Sequence, residues 1–349
     1  MKIVVTGAGG MLGADVVRRA EELSHQVIAL DRDALDVTNP ARVERLIGRE
    51  RPGAVINCAA WTKVDLAEEH ESDAELVNGR GAGFVSDAAA QAGAMVVYPS
   101  TDYVFDGSKR GPYTESDEPN PLQAYGRSKL AGERATAHFN ASSFIVRTSW
   151  LYGTGSENFV ETMLRLGGGG GPVVVVHDQV GCPTYTGHLA DGLLRLIDGS
   201  AYGVHHMAGA GSCSWYEFAM EIFRQAEIVT RVMSSTSDMM DRPAKRPPNS
   251  VLASGREVPI LLPDWKRGLA DYLERRDRPE PEEHRRPRAA GSTVRRQPVL
   301  DFSRREDEPG KDDEEAEASE GGAEPSPADG PDGGEHRGGE DPGGREPAA

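Results

Sequence analysis

The chain has 349 residues, 38% of them hydrophobic, which is enough to bury a sizeable core in one or two domains. Its net charge of −17, with no basic cluster on a predicted helix, argues against nucleic acid as a partner. No apolar run approaches the roughly 18 residues that a membrane helix needs, so we expect no membrane association. Three cysteines without paired spacing, and an apolar run that follows Met1-Lys2 directly, favour a cytoplasmic protein without a signal peptide.

Short apolar runs alternate with amphipathic stretches through the first half of the chain. The predicted strands cover residues 2–6, 26–30, 54–57, 94–98 and 143–147. The predicted helices cover residues 11–23, 42–49, 73–93 and 122–139. Because this alternation is typical of parallel sheets with helices on both faces, the sequence predicts an α/β fold with a Rossmann-like, doubly wound sheet.

The second half of the chain is less regular. Its predicted elements are a mobile glycine loop at 167–171, a strand at 173–176, and helices at 189–197, 215–225 and 264–273. We therefore expect an NAD(P)-binding Rossmann domain over 1–150 and a smaller substrate-binding lobe over 151–276, with a late return to the sheet.

Residues 277–349 form an acidic tail rich in proline and glycine, with 21 acidic and 11 basic residues. Such a composition has too little apolar surface to offset the entropy cost of ordering, so the tail is predicted to be disordered. A solvated tail without a specific role is the simpler interpretation, and a partner-binding tail is the alternative.

A glycine-rich turn joins the first predicted strand to the first helix. Gly7, Gly10 and Gly13 allow a tight turn, close approach of a pyrophosphate, and helix–strand packing, respectively. Asp31 ends the second strand, 18 residues after Gly13, near the spacing of a ribose-binding acid. Asp31 favours NADH, whereas the adjacent Arg32 could bind a 2′-phosphate, so NADH and NADPH both remain open. A plain glycine turn is the alternative interpretation.

Tyr125 and Lys129 lie four residues apart in a predicted helix and so share one face. A nearby ammonium is expected to lower the tyrosine pKa, which would suit a general acid near neutrality. Ser100 and Thr101 are neighbours on an extended segment and point to opposite faces, so only one of them faces the cleft. Periodicity does not decide which.

Several of these residues fall at the carboxyl ends of predicted strands, where doubly wound sheets bind ligands. The glycine turn, Asp31, residues 59–60, Thr101 and Trp150 all occupy such positions, which predicts one shared cleft. Trp61 and Trp150 fit either the core or the flank of a nucleotide or sugar.

The segments Ser-Thr-Asp-Tyr-Val-Phe-Asp-Gly at 100–107, Tyr-Gly-Arg-Ser-Lys at 125–129 and Asp-Gln-Val-Gly-Cys-Pro-Thr at 178–184 are far more specific than the glycine turn. With residues 6–13, 36–38, 57–65, 130–133 and 147–153, Arg246, Pro247 and Ser250, they resemble extended short-chain dehydrogenases/reductases, and within them the dTDP-4-dehydrorhamnose reductases. The resemblance covers roughly residues 1–275. The five-glycine loop and the acidic tail have no counterpart in the family pattern.

The resemblance implies a role for each matching residue. Thr101, rather than Ser100, would polarise the substrate carbonyl, Tyr125 would donate the proton, and Lys129 would bind the nicotinamide ribose. The implied cofactor contacts are Gly10, Met11 and Leu12 at the pyrophosphate, Asp31, Asp36 and Val37 at the adenosine, and Ala60, Trp61 and Thr62 elsewhere. The implied substrate contacts, besides Thr101, are Asp102 and Trp150.

The implied reaction is NADH- or NADPH-dependent reduction of the C4 keto group of dTDP-4-dehydro-L-rhamnose to dTDP-L-rhamnose, for cell-wall or surface polysaccharide. The alternatives are a related nucleotide-sugar epimerase or dehydratase, and a non-catalytic subunit like the regulator of methionine adenosyltransferase. Some family members hold Mg²⁺ between two subunits through glutamates. Asp15 stands where one such glutamate is expected, which leaves the ion, and the choice between monomer and homodimer, open.

Overall fold

The computed structural model describes residues 1–276. The strands are β1 (Lys2–Thr6), β2 (Gln26–Leu30), β3 (Ala54–Asn57), β4 (Met95–Thr101), β5 (Ser143–Thr148), β6 (Leu151–Tyr152), β7 (Val173–Val176), β8 (Val180–Gly181), β9 (Thr184–Tyr185), β10 (Gly203–His206), β11 (Cys213–Ser214) and β12 (Val232–Ser235). The α-helices are α1 (Met11–Glu22), α2 (Pro40–Glu50), α3 (Val64–Glu69), α4 (Glu71–Glu75), α5 (Ala82–Gln91), α6 (Ala124–Phe139), α7 (Phe159–Gly167), α8 (Thr186–Leu196), α9 (Trp215–Gln225) and α10 (Trp265–Arg276). A π-helix covers Leu76–Gly81, and two 3₁₀ turns cover Asp102–Val104 and Ser237–Met239.

Six parallel strands form the central sheet in the order β10-β5-β4-β3-β1-β2. The strand order reverses beside β1, which is the switch point where doubly wound sheets bind nucleotides. Because the strands are parallel, the carboxyl ends of β1 to β5 meet at one edge. The predicted doubly wound sheet is therefore confirmed.

Alternate side chains of the strands face two different helix layers, as the two-residue strand period requires. Ile3 and Val5 pack with α1 and α8, whereas Val4 packs with α2 and α5. Burial on both faces explains why these strands read as continuous apolar runs.

The second half of the chain contributes to the sheet as well as to a separate cluster. Strand β10 pairs with β5, and α8 packs against α1, so part of the second half of the chain lies on the sheet. An aromatic-rich cluster that includes Tyr152, Phe218, Trp265 and Tyr272 forms its own core among α7, α9 and α10. The domain boundary at residue 150 stays a prediction, and the predicted disordered tail lies outside the described residues.

The structure corrects two predicted elements. The single helix expected at 73–93 is interrupted by the π-helix, which brings Gly79 close to Ala131 of α6; a Cβ on this glycine would lie 3.2 Å from that side chain. Gly167, expected in a mobile loop, is instead the buried last residue of α7, packed against Phe223. Helices α3 and α7 and the two-residue strands had no predicted counterpart.

Within residues 1–276, no helix combines the length and the apolar character needed to cross a lipid bilayer.

Candidate active site

The turn after β1 leaves no room for side chains. Gly7 has a φ of +62°, and a Cβ placed on it would lie 2.5 Å from the Ala59 nitrogen. A Cβ on Gly13 would lie 2.3 Å from the Gly7 carbonyl oxygen. The amide of Ala8 donates to the Leu30 carbonyl at 3.0 Å, which ties the turn to β2. Only glycine fits these two positions.

The same turn opens onto the start of α1. Gly9 and Gly10 are exposed, and no side chain caps the first turn of this helix. The amides there, including those of Met11 and Leu12, therefore remain available to an anion. The cradle suits the pyrophosphate of a dinucleotide.

Two acidic residues follow β2 in different settings. Asp31 lies beside the turn, with its Cβ 3.5 Å from the position of a Cβ on Gly9, and it accepts a hydrogen bond from the Ala34 amide at 2.9 Å. Asp36 accepts from the amide and hydroxyl of Thr38 at 2.9 and 2.7 Å, and these bonds lower its pKa. Asp31 is thus placed at the phosphate cradle, while Asp36 stabilises its own turn and Val37 beside it is buried.

The loop after β3 carries the predicted contacts Ala60, Trp61 and Thr62. Asn78 of the π-helix holds it in place by accepting from the Trp61 amide at 2.9 Å and donating to the Trp61 carbonyl at 3.0 Å. The same side-chain amide donates to the Ser128 hydroxyl on α6 at 2.9 Å. Sequence reasoning missed Asn78, whose only signal is a polar residue inside an apolar helical stretch.

Thr101, Tyr125 and Lys129 converge at the carboxyl end of β4. The Thr101 hydroxyl donates to Asp102 at 3.1 Å, accepts from the Tyr103 amide at 3.2 Å, and is hydrogen-bonded to the Tyr125 phenol. Lys129 lies one helical turn after Tyr125 and donates to the Pro99 carbonyl at 2.7 Å. The structure therefore brings the three predicted catalytic side chains into one cluster.

The protonation of this cluster differs from the sequence expectation. Burial raises the pKa of Tyr125, the charge of Asp102 raises it further, and the hydrogen bond with Thr101 only partly opposes the rise. The expected lowering was wrong, because desolvation of the phenolate outweighs the favourable interactions. A phenol that keeps its proton at neutral pH is the form that a proton donor requires.

Lys129 is almost fully enclosed, with 2% of its surface exposed. Its Nζ lies 3.9 Å from the centre of the Tyr98 ring. Burial lowers the pKa of Lys129 to about 7, while the negative charge of Glu133 works in the opposite direction. Small changes in the surrounding charge therefore decide whether this amine is an ammonium.

Ser100 and Thr101 do point to opposite sides. The Ser100 hydroxyl donates to Glu133 at 2.5 Å, inside the protein and away from Tyr125. The structure thus places Thr101, rather than Ser100, at the cleft.

Asp102, a predicted substrate contact, is 2% exposed. Burial raises the pKa of its carboxyl to about 7. Its carboxyl is hydrogen-bonded to the hydroxyls of Thr101 and Ser250, and the Gln123 Nε2 atom at the start of α6 is buried without a hydrogen-bond partner in the described part of the chain. Unpaired buried polar atoms are costly, which is expected where a ligand completes the bonding.

Trp150 lies between β5 and β6 and has a left-handed backbone, with a φ of +47°. Its indole stacks on Trp215 of α9, with centroids 3.5 Å apart and planes 4° apart. Gly181 allows this placement, since a Cβ there would lie 2.4 Å from the Trp150 ring. Sequence reasoning assigned Trp215 only to a helix and missed its place here.

A cleft of about 820 Å³ extends from Tyr103 past Trp215, one member of this stacked pair. Its wall includes four basic residues: Arg165, Arg242, Lys245 and Arg246. Asp65 of α3 accepts two hydrogen bonds from Arg246, at 2.6 and 2.8 Å. This pairing joins α3, which follows the loop of residues 60–62, to the cleft wall.

Asp15, in the place of a family magnesium ligand, is buried and accepts from the Thr186 hydroxyl at 2.6 Å. Arg18 pairs with it at 3.2 Å and Arg275 lies 3.9 Å away. Among the described residues, no group of three or more His, Cys, Asp and Glu side chains has the arrangement of a metal site. Two guanidinium groups beside Asp15 already supply positive charge, so this site does not fit a cation.

The parallel sheet, the glycine cradle at its switch point and the Thr101–Tyr125–Lys129 cluster define a dinucleotide-dependent oxidoreductase of the short-chain dehydrogenase/reductase type. A family model described as "RmlD substrate binding domain" matches residues 1–278. The chain belongs to this family, and the resemblance found in the sequence is confirmed.

Individual relatives agree with this assignment. A dTDP-4-dehydrorhamnose reductase from Mycolicibacterium smegmatis is 42% identical over 280 residues, covering 78% of this chain and 85% of that protein. A probable dTDP-4,6-dihydroxy-2-methyloxan-3-one 4-ketoreductase from Streptomyces antibioticus is 42% identical over 279 residues, covering 78% and 94%. The structure of a dTDP-4-dehydrorhamnose reductase from Bacillus anthracis in complex with NADP is 38% identical, with a TM-score of 0.77 and coverage of 78% and 99%.

Proposed function

We propose that this protein reduces the C4 keto group of dTDP-4-dehydro-L-rhamnose to dTDP-L-rhamnose with NADPH or NADH. The observation that carries the proposal is the convergence of Thr101, Tyr125 and Lys129 beside the glycine cradle. A hydroxyl, a protonated phenol and an adjacent amine are what carbonyl reduction requires. Relatives that bear this activity in their names, at about 40% identity, support it.

A reduced nicotinamide, when bound, supplies the hydride that adds to C4. The Thr101 hydroxyl and the Tyr125 phenol hold the carbonyl oxygen by donating hydrogen bonds to it. Tyr125 then gives its proton to that oxygen, so the product leaves as a neutral alcohol. Lys129 binds the nicotinamide ribose, and its ammonium stabilises the negative charge left on the phenolate.

The cofactor rests on the cradle formed by Gly7, Gly10 and Gly13 and the amides of Met11 and Leu12. Asp31 beside the turn favours the ribose hydroxyls of NADH, and Arg32 offers a charge for the 2′-phosphate of NADPH. The NADP complex of the Bacillus anthracis relative supports NADPH as a cofactor.

The sugar nucleotide occupies the cleft beyond Tyr103. Its four basic side chains suit a diphosphate, and Trp215, held by stacking on Trp150, offers an apolar wall to a ring. Asp102, next to Thr101 in the chain, contacts a sugar hydroxyl. We infer a cytoplasmic location, consistent with three cysteines that are all free thiols. A monomer or homodimer stays a prediction.

The test is the loss of NADPH or NADH absorbance when the purified chain meets enzymatically generated dTDP-4-dehydro-L-rhamnose. The product is compared with authentic dTDP-L-rhamnose, and each cofactor is tested separately. Consumption of one cofactor with matching product is the expected result.

Tyr125→Phe is the matched variant, because it removes the donated proton and keeps the ring. We expect turnover to fall by about 100-fold or more, in line with loss of a general acid, while NADPH still binds. Normal turnover in this variant would contradict the role of Tyr125 as the proton donor.

Two other outcomes would redirect the proposal. Tightly retained cofactor that cycles without net consumption would indicate an epimerase or dehydratase. Cofactor binding without turnover of any keto sugar, together with stable co-purification of a methionine adenosyltransferase, would indicate a regulatory subunit.

A further inference from the structure

A buried ion pair lies directly behind the catalytic cluster. Arg147 donates to Glu133 through Nε at 3.0 and 3.2 Å and through Nη2 at 2.7 Å. The Ser100 hydroxyl donates to the same carboxylate at 2.5 Å. The side chains of the ion pair are 5% and 4% exposed, so this network is shielded from solvent.

Each member of the network sits next to a proposed catalytic residue or strand end. Ser100 immediately precedes Thr101 on β4, and Glu133 lies one helical turn after Lys129 on α6. Arg147 is the β5 residue paired with Ser100 in the sheet. The carboxylate of Glu133 therefore joins the strand that carries Thr101 to the helix that carries Tyr125 and Lys129.

Stability alone explains this network poorly. Buried ion pairs often contribute no more to stability than apolar side chains of the same volume. The Nη1 atom of Arg147 is buried without a hydrogen-bond partner among residues 1–276, which adds a further cost. A costly arrangement at this place is better explained by the fixed geometry that it imposes.

Lys129 faces few groups that can balance its charge. On α6 it has Glu133 one turn after it and Tyr125 one turn before it. The Cys58 thiol lies beyond β3, and burial raises the pKa of this thiol to about 12, so it is uncharged at neutral pH. From β4 it meets the Pro99 carbonyl and the Tyr98 ring, and the charge of Arg147 on β5 is paired with Glu133. Glu133 is thus the negative charge that these surroundings provide.

We propose that Glu133 is a positioning residue of the reductase: its carboxylate fixes Thr101 relative to Tyr125 and Lys129, and it keeps negative charge one turn from the Lys129 amine. This inference rests on the proposed function. It separates two contributions, a geometric one through Ser100 and an electrostatic one through Lys129.

Three variants separate these contributions. Glu133→Gln keeps the shape and removes the charge, so we expect kcat to fall on the order of 10- to 100-fold, with KM for the sugar nucleotide within about 3-fold. The alkaline limb of its kcat/KM profile should move to lower pH by about one unit, since Lys129 loses its supporting charge. Glu133→Asp keeps the charge and shortens the reach, so its kcat should fall without that movement. Ser100→Ala should lower kcat only on the order of 3- to 10-fold, with the pH profile unchanged.

Two controls guard against a general loss of folding. Ser86→Ala removes another buried hydroxyl that contacts α6, through Thr136 at 3.2 Å, seven residues after Lys129, and should leave kcat unchanged. The double variant Glu133→Gln/Arg147→Met removes the unpaired guanidinium, so it should recover the melting temperature lost in Glu133→Gln but not its kcat or pH profile.

The pH dependence of NADPH affinity, followed by cofactor fluorescence, reports on Lys129 independently of turnover, and it should shift in Glu133→Gln.

The results separate this inference from the proposed function. If the wild-type chain turns over the keto sugar while folded Glu133→Gln retains wild-type kcat and pH profile, the inference is overturned and the function stands. Recovery of full activity in the double variant would also overturn it, by reducing the network to a stability role. No turnover by the wild-type chain would refute the function instead, and an unshifted NADPH affinity profile in Glu133→Gln would then overturn the inference by itself.

Discussion

The proposed cofactor side and the proposed sugar side of the cleft are built in different ways. On the cofactor side, each element is a short segment at the end of one strand, such as the glycine turn after β1 or Asp31 after β2. On the sugar side, the wall combines Tyr103, Trp215 and Arg246, which come from three distant parts of the chain. One side is thus assembled by the register of the sheet and the other by long-range packing.

This difference predicts separable defects. A parallel sheet places all its carboxyl ends at one edge, so the cofactor side follows once the strands pair. The sugar side depends on individual contacts, such as the stacking of Trp150 on Trp215 and the pairing of Asp65 with Arg246. Changes on one side should therefore alter one ligand's affinity and spare the other's.

The largest effect is expected from Gly13→Ala on the cofactor side. A Cβ there would lie 2.3 Å from the Gly7 carbonyl oxygen, so the turn must open or α1 must move. We expect NADPH affinity to fall on the order of 100-fold, and stability to fall by about 2 kcal/mol, as for other overpacked sites. Fluorescence titration and thermal unfolding measure the two effects.

Gly48→Ala is the matched control for this substitution. Gly48 lies within α2, and apart from its chain neighbours and the helix backbone no atom lies within 4 Å of an added Cβ. Because alanine favours helix, this variant should gain about 0.5–1 kcal/mol and bind NADPH normally. Equal NADPH affinity in the two variants would contradict the role of Gly13 in the phosphate cradle.

A smaller effect is expected from Asp102→Asn, at the junction of the two sides. Burial raises the pKa of Asp102 to about 7, so the folded protein holds this proton more tightly than the unfolded chain. The stabilisation is complete below the unfolded pKa near ~4 and is lost as the pH rises through about 7. In the wild-type protein, Asp102 should therefore make the free energy of unfolding fall by about 2 kcal/mol as the pH rises from roughly 5 to 8. Asp102→Asn should flatten that slope in denaturant unfolding measured across the pH range.

Asp117 provides the control for that slope. Its hydrogen bonds with Lys109 and Thr114 lower its pKa to about 2, so its contribution is present above the unfolded pKa and is lost only as the pH falls through about 2. Asp117→Asn should leave the slope between roughly pH 5 and 8 unchanged. If Asp102→Asn keeps the wild-type dependence of unfolding free energy on pH, the Asp102 carboxyl stays ionised when buried.

The smallest effect is expected from Trp215→Ala on the sugar side. Loss of the stacked indole frees Trp150, and we expect KM for the sugar nucleotide to rise about 10-fold, as for loss of an aromatic contact. NADPH affinity should not change. Met220→Ala, an exposed position on the same helix, should change neither value. A parallel loss of NADPH affinity in Trp215→Ala would contradict the separation of the two sides.

The sequence predicted most of the sheet but less of the helices around it. Strands β1, β2 and β3 match their predicted bounds, because continuous apolar runs mark strands buried on both faces. The predicted helix at 73–93 missed the π-helix, since its position depends on close packing against α6. Helix α7 was missed because the glycines that follow it read as a loop.

The candidate site divides in the same way. The spacing of Gly7, Gly10 and Gly13, and the pairing of Tyr125 with Lys129, were visible in the sequence because each is set within a few residues. Asn78 and Trp215 gave no such signal, since their partners lie 17 and 65 residues away.

By itself, then, the sequence determined the doubly wound sheet, the glycine-rich turn after its first strand and the Tyr125–Lys129 pair, because strand period, helix period and glycine spacing are local. The tertiary structure decided which of Ser100 and Thr101 faces the cleft. The Ser100 hydroxyl donates to Glu133 on α6, and Arg147 on β5 pairs with the same carboxylate, so Ser100 points into the protein. The tertiary structure also decided the direction of the Tyr125 pKa shift, since desolvation depends on what packs around a group and not on its neighbours in the chain.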